Sequence, residues 1–222
     1  GQADILIGPY DTPERNTNLV FAAKAFYRDD MVFYARADNE IVWNGDYASI
    51  KTQRIGKMQG WSYGTRFTEQ TKSLNINEFV DIKSGIERLS RGDLDILATN
   101  SRNTNAVLAQ IKIPKAITPI MPIIDVRDGF MAFPKQAKFD PLRTRFDSFF
   151  EEMIQNGTLT TLGQKYRVTL PYWSNLIIPV KSDPLGDAHT CNKEWWGTQL
   201  AKTSNQLLLN LVPINLLHGN HF

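Results

Sequence analysis

Apolar residues fall along the chain in short runs bounded by Gly, Pro and Asp, the pattern of buried strands. Between those runs they recur at spacings of three and four, the pattern of helices. Residues 3–7 and 31–35 read as buried strands, and 54–58 as a third. A short polar helical stretch is expected over 65–72. A helix over 84–91 follows from Ser84 and Glu87 as a capping box, Ile86 and Leu89 on one face, and Gly92 as its stop. Residues 94–98 then form a strand. Asn103 or Thr104 caps the next helix, with Val107, Leu108 and Ile111 on one side and Pro114 at its end. A longer helix carries Pro141 in its first turn and runs to Asn156-Gly157. Its stripe of Leu142, Phe146, Phe149, Phe150, Met153 and Ile154 is expected to face the core. Alternation of strand and helix indicates an α/β fold.

One internal comparison adds organisation. Gly1-Gln2-Ala3-Asp4-Ile5-Leu6 and Gly92-Asp93-Leu94-Asp95-Ile96-Leu97 share Gly, Asp, Ile and Leu at equal spacing, as equivalent strands of two similar lobes would. Upstream of the second copy lie a strand, helix, strand and helix, between Arg54 and Arg91. The first copy begins at its Gly, so the first lobe is expected to lack its opening units. Chance similarity over six residues is the alternative.

Composition narrows the functional classes. In 222 residues, 25 Lys and Arg stand against 23 Asp and Glu, scattered along the chain, so nothing in the charge implies nucleic acid as a partner. The single cysteine, Cys191, excludes an internal disulfide and any multi-cysteine zinc site. The longest mainly apolar run, 207–217, contains Asn210, Pro213 and Asn215 and is too short for a bilayer span of roughly 20 residues. No initiator Met and no basic region leading into an apolar stretch stand at the start. A signal peptide is therefore either removed or encoded upstream.

Ligands of open parallel sheets sit beyond the carboxyl ends of the strands, which directs attention to Gly8-Pro9-Tyr10 and Thr99-Asn100-Ser101. Arg15 follows in Thr12-Pro13-Glu14-Arg15, where a guanidinium can fork onto a carboxylate. The plainer alternative is a salt bridge from Arg15 to Glu14 or another surface acid. The second candidate is Gly60-Trp61-Ser62-Tyr63-Gly64, a strand-to-helix turn that presents backbone amides, a Ser62 hydroxyl and two aromatic faces. An ordinary βα turn would look the same, and the Gly-Lys-Ser/Thr ending of a phosphate loop is absent. The same five residues formally match the Gly-x-Ser-x-Gly nucleophile elbow of hydrolases. That reading needs a downstream acid and histidine, and His189, His218 and His221 all lie near the end of the chain. Their spacing with Cys191 fits no standard zinc pattern. Neither a cofactor nor a metal is expected, and no catalytic residue is assigned.

In their order and spacing these residues resemble the extracellular solute-binding proteins of family 3, the polar amino-acid binding components of ABC importers. The likeness runs over 1–166. It rests on 1–15 with its Thr-x-x-Arg ending, on 21–34 and on 54–64. It continues through Leu89-Ser90-Arg91-Gly92-Asp93-Leu94-Asp95 and Gly129-Phe130-Met131-Ala132-Phe133-Pro134-Lys135, and closes on Asn156-Gly157-Thr158 ahead of Lys165-Tyr166.

The resemblance implies a type II periplasmic-binding-protein fold: two lobes joined by two crossing strands near 34–38 and 120–126, closing on ligand by hinge motion. Residues 1–35 with 125–166 would form the first lobe, its N-terminal part missing, and 36–124 the second. Residues 167–222 are a tail without a reading. Carried over by position, Arg15 would hold a ligand carboxylate, with Gly8 and Tyr10 lining the first-lobe wall and Ser62, Trp61 and Tyr63 meeting it from the second lobe. Asn100 stands where the family usually places an acid for an α-ammonium group, and a neutral amide cannot offset a buried cation. Phe21-Ala22-Ala23 departs from the family's Phe-Ser start. The implied function is binding of a small carboxylate-bearing, amino-acid-like solute in the periplasm, as a monomer, for a membrane permease of an ABC importer. A dehydratase-like enzyme on the same fold, or the ligand-sensing domain of a receptor, are the alternatives.

Overall fold

A computed structural model describes residues 4–173, all within a unit spanning Gly1–Ile178. The framework is one seven-stranded sheet in the order β1-β7-β3-β6-β4-β5, with β2 also paired to β7. Its strands are β1 (Leu6–Tyr10), β2 (Leu19–Phe21), β3 (Tyr27–Arg36), β4 (Arg54–Met58), β5 (Asn75–Phe79), β6 (Ile96–Asn100) and β7 (Ile117–Pro134). Among the described residues five α-helices accompany them: α1 (Thr65–Gln70), α2 (Ile82–Arg91), α3 (Ser101–Leu108), α4 (Asp140–Gln155) and α5 (Thr158–Tyr166).

The apolar runs become strands because both faces of the sheet are covered. Along β3, Met31 and Phe33 enter one core cluster with Ile55, Tyr63, Phe67, Ile96 and Ala98. The alternate residues, Val32 and Tyr34, enter another with Met58, Phe79, Ile86, Leu89 and Leu97. A strand buried on both sides loses the polar alternation of a half-exposed one. Each Val, Leu, Ile, Phe or Met among these side chains contributes about 1.5–3 kcal/mol when fully buried. Strands β4, β5 and β6 pair in parallel, joined through α1 and α2, whereas β3 pairs antiparallel with both β6 and β7. The long β7 runs from Ile117, opposite Arg36, to Pro134, opposite Leu19 of β2.

Several boundaries differ from the sequence expectation, each for a local reason. The strand expected over 3–7 is Leu6–Tyr10, because pairing with β7 runs from Leu6 opposite Ala132 to Tyr10 opposite Gly129. The strand expected over 94–98 ends at Asn100, which lies opposite Met31. Helix α2 is capped by Asp81, whose carboxylate accepts the Ser84 amide at 2.8 Å, so Ser84 stands inside the helix and not at its cap. Helix α3 is capped by Asn100, three residues before Asn103. On α4, Phe150 and Ile154 are buried, but Leu142 and Phe149 are 44% and 53% exposed, so the apolar stripe is only partly core. Residues just past Tyr166 also pack. The Thr169 carbonyl accepts the Arg28 amide, and buried Trp173 meets Phe150 edge-on and donates its indole N–H to the Ala25 carbonyl at 3.1 Å. Trp195, Trp196, Cys191 and the three histidines lie outside the described residues.

Candidate functional site

The C-terminal end of β1 and the turn after β4 come together. The Gly8 backbone has φ +88, a conformation that favours glycine, and its carbonyl accepts the Tyr27 hydroxyl at 2.6 Å. A Cβ at Gly8 would stand 3.2 Å from that hydroxyl, so the close approach also requires the missing side chain. Beyond β1 the chain folds into a short 3-10 turn, Arg15–Thr17, with the Arg15 amide on the Thr12 hydroxyl. Arg15 then extends its guanidinium to the Tyr10 carbonyl at 2.8 Å and to the Gly60 carbonyl at 3.3 Å. Both partners are backbone oxygens, and no carboxylate among the described residues pairs with it. Burial, followed by the nearby charge of Arg127, lowers its pKa from the ordinary arginine value.

Within the turn the three candidate side chains separate. Ser62 is half-buried, and its hydroxyl has no hydrogen-bond partner among the described residues. Trp61 packs against both core clusters. Tyr63 is a core residue and not a wall of a cleft. Its hydroxyl accepts the Met58 amide at 2.7 Å and donates to the Ala98 carbonyl at 3.0 Å, which ties β4 to β6 beneath the turn. At Gly64, which precedes α1 with φ 87 and ψ 161, an added Cβ would lie 1.8 Å from an Asp125 carboxylate oxygen. The expected anion seat therefore already faces a protein carboxylate.

Asn100 does two things. Its Oδ1 accepts the Asn103 amide at 2.8 Å, capping α3, and its Nδ2 donates to the Tyr10 hydroxyl at 3.2 Å. Tyr10 in turn donates to Asp29 Oδ2 at 2.8 Å. Asp29, 1% exposed, also receives a bidentate fork from Arg102, Nε to Oδ1 and Nη2 to Oδ2, both 2.8 Å. The Arg102 guanidinium lies over the Tyr27 ring at 4.7 Å. Burial alone would lower the Arg102 pKa, but hydrogen bonds and charge from Asp29 outweigh it and the net shift is upward. Burial, then the Asp29 charge, raises the Tyr10 hydroxyl well above the usual tyrosine value and Tyr27 to about 12. A third guanidinium, Arg127, stands 5.9 Å from the Tyr10 ring and donates to the Asp11 carbonyl at 2.8 Å.

The tertiary structure thus joins Gly8, Tyr10, Arg15, the 60–64 turn and Asn100, and adds Asp29, Tyr27, Arg102 and Arg127, which the sequence reading missed. A signal for Asp29 was present. It shares the odd-numbered face of β3 with Tyr27, Met31 and Phe33, all buried, and an acid on a buried face needs a partner. Nothing comparable marked Arg127. The elbow reading of the 60–64 turn depends on histidines outside the described residues.

No protein-family profile and no curated protein matches this chain. Solved structures do. The P235GK mutant of ArgBP from T. maritima superposes with TM-score 0.63 at 17% identity, covering 75% of this chain and 69% of that one. An arginine 3rd transport system periplasmic binding protein from Legionella pneumophila gives 0.62 at 17%, covering 74% and 73%. A histidine kinase sensor domain with similarity to periplasmic binding proteins gives 0.67 at 13%, covering 77% and 73%. At these identities the likeness concerns architecture, and the architecture is common to all three: this chain has the periplasmic-binding-protein fold.

Proposed function

We propose that this chain is the solute-binding component of an ABC importer, acting in the periplasm on a small carboxylate-bearing, amino-acid-like solute held between two lobes. Residues 1–35 with 125–166 would form one lobe and 36–124 the other, with β3 and β7 crossing between them. The observation that carries this reading is Arg15. Its guanidinium is partly buried, holds only two backbone carbonyls, and bridges the β1 segment to the turn at Gly60. A carboxylate arriving there pairs ion to ion with the guanidinium, adding Coulomb attraction in a bidentate fork, and displaces the long 3.3 Å contact to Gly60. The Ser62 hydroxyl, which has no hydrogen-bond partner among the described residues, stands on the same turn. Solute bound by both segments contributes contacts to both only when they are closed together, which shifts the open-to-closed population toward the form a permease recognises.

Two further facts support the reading. Two solved structures of the same fold are themselves described as amino-acid ABC transporter binding proteins. Among the described residues no helix is long and apolar enough to cross a membrane. Calorimetry of the full chain against amino, 2-oxo and dicarboxylic acids tests the proposal, with monomeric behaviour checked by sedimentation. Arg15→Ala should weaken binding by at least about tenfold, the loss of one charge-assisted pair. Absence of binding to any carboxylate, or unchanged affinity in Arg15→Ala, removes it. The sensor-domain match favours a second reading, a ligand-sensing module, which predicts the same binding but no stimulation of a reconstituted importer.

A further inference from the structure

We infer that the solute taken at this site carries a carboxylate but no α-ammonium group: it is a 2-oxo, 2-hydroxy or unsubstituted carboxylic acid. The inference rests on the solute-binding reading above and narrows its chemistry. Three guanidiniums, of Arg15, Arg102 and Arg127, converge around Tyr10 and Tyr27. The one fully buried carboxylate among the described residues, Asp29, is consumed: both oxygens accept from Arg102, and Oδ2 accepts from Tyr10 as well. The other acids nearby are engaged or face solvent. Asp128 is forked by Arg28 at 2.7 and 2.8 Å, and the Asp11 carboxylate accepts the Asn16 side-chain Nδ2 at 2.6 Å. Glu14 and Asp30 are exposed to solvent. Asp125 lies 3.6 Å from Arg127 and directly against the Gly64 backbone.

The unpaired charge here is positive. Arg15 has no carboxylate partner among the described residues, and Arg127 keeps a buried Nε–H with no acceptor. A buried donor without an acceptor is costly, and a solute oxygen relieves it. Tyr10 links Arg15, through its carbonyl, to the Asn100 amide, which donates to the Tyr10 hydroxyl and is 1% exposed, so a solute at Arg15 reaches that amide once the two segments part. That hydroxyl already gives its proton to Asp29. An oxo or hydroxyl oxygen meets a neutral amide donor there, whereas an ammonium would stand beside the unpaired Arg15 guanidinium while Asp29, the buried carboxylate of the network, is already forked by Arg102. Like charges gathered in a partly desolvated site oppose that arrangement.

The test compares matched acids on the full chain by calorimetry near neutral pH: L-glutamate with 2-oxoglutarate, 2-hydroxyglutarate and glutarate, and L-leucine with 4-methyl-2-oxopentanoate. In whichever series binds, the ammonium-free acids should bind at least about tenfold more tightly than the amino acid. Arg127→Gln should weaken the ammonium-free acids by about fivefold or more. Asn100→Asp keeps an N-cap of equal quality and adds the missing anion, so it should narrow the gap in favour of the amino acid. An amino acid binding as tightly as its oxo partner overturns the inference and leaves the solute-binding reading standing. Binding of no carboxylate in either series overturns both.

Discussion

Replacing Asp29 by Asn removes one negative charge from the interior and changes little else in shape. In the folded protein that charge holds three hydrogen bonds of 2.8 Å, two from Arg102 and one from Tyr10, and the residue is 1% exposed. Breaking a buried pair by removing one partner costs about 3–5 kcal/mol, because the surviving ion is left without compensation. The Arg102 side chain is 34% exposed, so water partly replaces the lost carboxylate. The expected loss therefore lies at the lower end, about 3 kcal/mol. For a chain of this size that corresponds to a fall in Tm of about 6–12 °C. Urea unfolding followed by circular dichroism should show a lower midpoint at unchanged slope. A cycle with Arg102→Met should return a coupling of about 2 kcal/mol, with the double variant less destabilised than the sum of the single ones. A loss below about 1 kcal/mol in Asp29→Asn, or strict additivity with Arg102→Met, would refute the reasoning that this pair fastens β3 to the start of α3.

Burial raises the hydroxyls of Tyr10, Tyr27, Tyr34 and Tyr63, with Tyr27 and Tyr34 reaching about 12. In the unfolded chain tyrosine ionises near pH 10, so the stabilisation is complete below about pH 10 and is lost as pH rises from about 10 to 12. Ultraviolet titration should find these four protonated at about pH 11 while the fold persists, and full tyrosinate absorbance in a folded chain contradicts this. Gly64→Ala combines a backbone conformation reserved for glycine with a collision against Asp125, and should cost at least about 2 kcal/mol. Adding Asp125→Ala should recover only the steric part. Trp173→Ala removes a buried indole and its bond to the Ala25 carbonyl, and a loss of about 3–5 kcal/mol in thermal or urea unfolding is expected.

Local signals were legible to the extent that they were local. The strand over 54–58, the apolar centre of β3, the Gly92 stop and Pro141 in the first turn of α4 all emerge where periodicity and punctuation place them. Caps were less legible. Asp81 and Asn100 displaced Ser84 and Asn103 because several capping-type residues cluster before each helix, and the backbone's path into the helix selects among them. Tyr63 was misplaced for a related reason. Its position in a glycine-flanked turn looks outward in the sequence, but a tyrosine that can satisfy its hydroxyl between two strands gains more by burying its ring.

By itself the sequence marked the strand over 54–58, the apolar centre of β3 and the main helices, and showed that Arg15, the 60–64 turn and Asn100 deserved attention. Period and composition act over a few residues, and those features need nothing more. Only the tertiary structure decided which side chains meet. The antiparallel register that sets Tyr27 opposite Gly129 and Met31 opposite Asn100 brings Tyr10, Asp29 and Arg102 into one network. It also leaves Asp29 with no charge to spare for a ligand. Pairing across tens of residues depends on sheet register and strand order, which no local pattern encodes, and in this chain those long-range pairings set the charge that a bound solute would meet.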